Sequence, residues 1–163
     1  MNKRYLELAD RLRGELPDLD ASMRKAERSW ESVRIAHRDQ DIYLDSVALN
    51  LHAFYSGLEK LFELIARQVD GASPEGIAWH RDLLSRMAED VKDVRPAVIS
   101  KETSGKLDQY RRFRHLVRNV YATNLNPEKI SGLMENLTEF WPKLSAELEA
   151  FSRFLKDLSE ASA

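Results

Sequence analysis

The run Tyr110-Arg111-Arg112-Phe113-Arg114-His115-Leu116-Val117-Arg118-Asn119-Val120-Tyr121 holds residue types that bind phosphate and move protons. Lys106, Arg111, Arg112, Arg114 and Arg118 fall close together, opposed there only by Asp108. On a helix at about 100° per residue, Tyr110, Phe113, Val117, Val120 and Tyr121 cluster toward one side, which predicts a core-facing stripe. Arg114, Arg118 and Tyr121 recur at four and three and form a second stripe at its border. His115 and Asn119 lie beside that stripe. By spacing alone this is an anion-binding surface. Arginine-rich helix faces are usually solvated or paired with acids, and a single histidine or tyrosine more often packs than reacts.

The elements that must position these residues are helical. Residues 3–15 make a first helix or the opening of a longer one, and Pro17 with Asp18 and Asp20 predicts a break and restart. Met23, Ala26, Trp30, Val33 and His37 then follow three-and-four spacing, and Arg38-Asp39-Gln40-Asp41 reads as a turn. A long helix is expected from about 42 to 69, with the stripe Val47, Leu51, Phe54, Tyr55, Leu58, Leu61, Phe62, Ile65 and Val69. Gly71 and Pro74 end it. A helix over 76–93 should bury Ile77, Leu83, Leu84, Met87 and Val91, and stop at Arg95-Pro96. A loop over 97–104 precedes the basic helix, 105–122. Asn126 as cap and Pro127 at the first position open a last helix to about 158, which Pro142 should kink. No segment alternates with period two. The fold class expected is all-α, an antiparallel bundle of about five helices in one domain spanning 1–163.

Composition narrows the setting. The chain has 163 residues, no cysteine and a formal net charge of −2. Disulfides and thiolate metal sites are excluded, and a reducing cytoplasm is the expected location. Met1-Asn2-Lys3-Arg4-Tyr5 leads into no apolar run, so no secretory signal is expected, and no membrane span either. The net charge attracts no polyanion globally, so any RNA binding must come from the local patch.

The basic helix resembles the active-site motif of HepT-like proteins, a branch of the HEPN ribonucleases of toxin–antitoxin systems. Their motif reads Arg-x4-His-x-Tyr; Arg114 and Tyr121 match it, and Asn119 stands where the family usually has histidine. The blocks Trp79-His80-Arg81-Asp82-Leu83-Leu84-Ser85-Arg86-Met87, Val94-Arg95-Pro96-Ala97-Val98-Ile99-Ser100 and Phe113 to Tyr121 look like successive family blocks in the expected order. The resemblance covers most of the chain from about residue 25. It implies a homodimer in which two motif helices form a composite cleft that cleaves RNA without a metal or cofactor. It also implies a nucleotidyltransferase antitoxin that adds AMP to the motif tyrosine, here Tyr121. Arg114 would stabilise the phosphoryl group, with Arg111, Arg112 and Arg118 as further phosphate contacts, and the residue at Asn119 would handle the proton. An amide does not titrate near neutral pH, so His115 is the nearest candidate to replace it. The alternative is a weak or inactive HEPN protein that binds RNA, a nucleotide or a protein partner through the same cleft. A third reading is a structural helical partner with no ligand there.

Other residues read as bland. His37, His52 and His80 lack paired metal-ligand spacing. Glu59 and Glu63 are four apart like half of a di-iron site, but no Glu-x-x-His accompanies them. No glycine-rich phosphate loop or nucleophile elbow is present.

Overall fold

The structure, a computed structural model, describes residues 2–119 and 125–162. Helix α1 runs Lys3–Ile35 and α2 Gln40–Ile65, continued by a π-helical turn over Ala66–Asp70. Helix α3 is Trp79–Met87, α4 Lys101–Asn119 and α5 Pro127–Ala161. The fold is an all-α bundle, and no strand occurs among the described residues.

Helix α1 does not break at Pro17, contrary to the local signal. Arg13 and Pro17 both lie on the exposed side, so the carbonyl that loses its partner faces outward. Leu8, Leu12, Leu19, Met23, Ala26 and Val33 form a buried row on both sides of the proline. Each large side chain so buried contributes roughly 1.5–3 kcal/mol. Together they outweigh the cost of about 3 kcal/mol for an interior proline. Helix α5 likewise continues through an exposed Pro142.

Helices α1 and α2 are antiparallel. Ser29 and Ser46 share a 2.6 Å hydroxyl hydrogen bond near the turn, and Leu19 packs over Gly57 further along. Helix α5 returns along α1. The Ser159 hydroxyl donates to the Asn2 carbonyl at one end (2.9 Å), and Thr138 to Glu27 toward the other (2.8 Å). The core lies between these three helices and α4, where Phe54, Tyr110, Phe140 and Trp141 make an aromatic cluster.

The expected helix over 76–93 is shorter. Ile77 is exposed before it, and Val91 lies after it in a tight turn closed by Val91 and Arg95. Arg95 explains the difference. It is buried, and its guanidinium donates to both carboxylate oxygens of Asp70 and to the carbonyls of Arg86, Glu89 and Pro96. Arg86 donates to the same carboxylate at 2.9 Å. The chain after α3 is thus wound around one arginine and fastened to the end of α2. Gly71 makes that end feasible, taking φ 85°, which a side chain would disfavour.

Helix α4 begins at Lys101, inside the segment expected to be a loop. The Ser100 hydroxyl accepts from the Thr103 backbone N–H (3.1 Å), and Glu147 of α5 accepts from the Ser100 N–H and the Thr103 hydroxyl. This cap satisfies donors that the helix start would otherwise leave open.

Candidate active site

Helix α4 carries the candidate residues. Its apolar side enters the core as expected: Tyr110 and Phe113 are buried and the partly buried Val117 packs against the core. The Tyr110 hydroxyl donates to the Leu133 carbonyl of α5. Burial raises the Tyr110 phenol above its ordinary range.

Arg114 sits one turn further along and is also buried, only 9% exposed. Its Nη1 donates to Oε1 of Glu59 on α2, itself 4% exposed. The other oxygen, Oε2, lies 2.8 Å from Nδ1 of His80 at the start of α3. One carboxylate therefore joins three helices through Arg114 and His80. The His80 ring stacks on Trp79, with centroids 3.5 Å apart. The Arg114 guanidinium stands 6.0 Å from the centre of the Tyr55 ring. The Tyr55 hydroxyl is buried without a partner among the described residues. Burial first, and the Glu59 carboxylate second, push its phenol up, against a smaller opposing pull from Arg111 and Arg114.

His80, Arg111, Arg114 and His115 line a small cavity of about 50 Å³. The structure thus places Arg114, His115 and Arg111, three of the candidate residues, around one cavity, and adds His80 and the Glu59 behind it. His80, set aside for lack of metal-ligand spacing, is paired with Glu59, which no di-iron pattern accompanies and which is instead a buried acid. The signal for Glu59 is its register. It lies four residues after Tyr55 and three before Phe62, both fully buried, so it occupies a core position that only a paired carboxylate fills. Glu63, one turn on, instead lies 3.9 Å from Arg67.

Arg111 and Arg112 are not free cations. Asp108 holds Arg111 Nε at 2.7 Å and Arg112 Nη2 at 2.8 Å. Arg112 is largely exposed and borders a groove between α4 and α5 that also involves Phe113, Leu116 and Leu133. Arg118 and Asn119 belong to the last turn of α4, but their side chains are outside what the structure describes. Val120 and Tyr121 lie outside the described residues.

Among the described residues no group of three or more His, Cys, Asp or Glu is placed to hold a metal ion. None of their helices is long and apolar enough to cross a membrane. The assembled groups can neutralise a phosphate through guanidinium donors and exchange a proton through imidazole.

Comparison with known proteins gives no match among curated proteins or solved structures. The family model described as HepT-like protein matches residues 46–155, from the second turn of α2 through most of α5 and across every residue of the cavity. The chain therefore belongs to the HepT-like family of the HEPN superfamily.

Proposed function

We propose that this chain is a toxin that cleaves RNA without a metal, acting as a homodimer whose basic cleft is built from two copies of α4. Family membership points to toxin-like function and to antitoxin pairing in general. The observation that carries the finer reading is the convergence of Arg111, Arg114 and His115 on one cavity in a HepT-like chain. A guanidinium has five N–H donors. Glu59 engages Nη1 of Arg114, and the others can serve a phosphate and the charge that develops on it during cleavage. The exposed Leu116 and the groove beside it supply apolar surface along α4 for a second copy. Residues 1–163 act as one domain in this reading, because α1 packs along both α2 and α5 of the family core. The antitoxin is a nucleotidyltransferase that adds AMP to Tyr121.

A second reading is favoured by Asn119, whose amide cannot serve as general acid or base. In it the protein keeps the cleft and binds RNA, a nucleotide or a protein without cutting. A lost proton-transfer group typically costs 10²–10⁴-fold in rate.

An RNA cleavage assay on the native chain, Arg114→Ala and Asn119→His separates the two. Cleavage by the native chain that disappears in Arg114→Ala supports the ribonuclease reading. Cleavage by Asn119→His alone makes this chain an inactive member with an intact cleft. Salt-sensitive RNA binding with no cleavage by any of the three establishes the second reading.

A further inference from the structure

We propose that His80, held by Glu59, is the proton-transfer group of this site. The inference rests on the ribonuclease reading and names the residue that does the work Asn119 cannot do.

The geometry is that of an oriented base. Glu59 is buried, so its carboxylate is committed to its two protein partners, Arg114 Nη1 and His80 Nδ1. A carboxylate at Nδ1 fixes the neutral imidazole as the Nδ1–H tautomer and leaves Nε2 with the lone pair. This is the arrangement in which a third group orients a base toward its substrate. Trp79 limits the ring's rotation from a further side. The ring keeps 29% of its surface exposed and borders the same cavity as Arg114. The base and the phosphate-binding arginine are therefore set against each other by opposite oxygens of one carboxylate. Charged or titratable groups meeting His80 here are Glu59 from α2 and Arg111, Arg114 and His115 from α4. His115 reaches the same cavity from the exposed side of α4, and His80 reaches it from α3 with Glu59 at Nδ1.

In the reaction, Nε2 of His80 accepts the proton of a ribose 2′-hydroxyl. The 2′-oxygen forms a bond to phosphorus and the bond from phosphorus to the 5′-oxygen breaks. The leaving 5′-oxygen takes a proton from water, and the resulting hydroxide takes the proton from the imidazolium. The products are a 2′,3′-cyclic phosphate and a 5′-hydroxyl, with no net proton change. Arg114 stabilises the charge on the phosphoryl oxygens, and Glu59 is a positioning residue.

The test uses a labelled mixed-sequence single-stranded RNA and its 2′-O-methyl counterpart, which lacks the reacting hydroxyl. His80→Gln is expected to lower kcat by about 100-fold or more. It is expected to bind the 2′-O-methyl RNA as the native chain does. Glu59→Gln is expected to lower kcat more than it changes KM and to let the imidazole populate both tautomers. Nitrogen NMR of the native chain is expected to show His80 protonated at Nδ1. A neutral ring protonated at Nε2 overturns the inference without requiring any variant to fold. A His80→Gln protein that cuts within about twofold of native also overturns it, and leaves the ribonuclease reading standing. RNA left whole by the native chain overturns both.

Discussion

Arg114 and Glu59 form a buried ion pair, and such pairs are costly to halve. Removing one partner leaves an uncompensated charge, at about 3–5 kcal/mol. Arg114→Ala is therefore expected to lose about that much stability in urea unfolding, and Arg114→Met combined with Glu59→Met to recover part of it. Activity lost in Arg114→Ala has to be read at a temperature where the variant is still folded. The two buried tyrosines make a contrasting pair. Tyr55→Phe removes a hydroxyl with no partner among the described residues and is expected to be neutral or stabilising by about 1 kcal/mol. Tyr110→Phe strands the Leu133 carbonyl and is expected to cost about 1–3 kcal/mol in the same measurement. Both phenols are raised in the fold. The stability they contribute is complete below roughly pH 10, the ordinary phenol value, and is lost as pH rises beyond it. Tyr55→Phe should blunt that alkaline loss. At this scale the closeness of Arg114 and His115 was legible from motif and spacing. The register of Glu59 marks only a core position, and its pairing with His80 was not legible, because that is a contact between α2 and α3 that no local pattern encodes.

Among the elements, α2 and α5 were the most legible, since their apolar residues hold helical spacing over many turns. The errors fall where a side chain from elsewhere decides. Pro17 predicted a break, but the buried row from Leu8 to Val33 carries α1 through it. Pro17→Ala is accordingly expected to raise stability by about 2 kcal/mol, seen as a higher Tm, because the Arg13 carbonyl regains its donor. A break at that point would have made the change nearly silent. Helix α3 ended early because Arg95 draws the following residues into a turn around Asp70. Helix α4 began early because Glu147, distant in sequence, supports its cap.

For the whole molecule the balance of charge is slightly negative, so the proposed RNA binding depends on how many cations along α4 are released from internal partners. Asp108 restrains two of them. Asp108→Asn is expected to tighten RNA binding about fivefold, the equivalent of about 1 kcal/mol for a partly exposed pair. It should also steepen the loss of affinity with salt, as fluorescence anisotropy at two salt concentrations would show. Unchanged affinity would mean that RNA does not reach Arg111 and Arg112. The fold class was legible from helical spacing along the chain, and the family from the order of sequence blocks. The state of the cations was not, since pairing depends on side-chain geometry along α4.

The burial of Arg114 has a consequence for how a ligand is held. A long flexible side chain surrenders up to about 2 kcal/mol of rotamer freedom when it is fixed. Arg112, largely exposed and held by a surface pair with Asp108, still has most of that loss ahead of it when a phosphate arrives. Arg114 is already still, because the folded core and Glu59 have placed it. On the proposed function, its grip on a phosphate is a measure of the order of the core, and loosening the interior is expected to weaken capture before the protein unfolds.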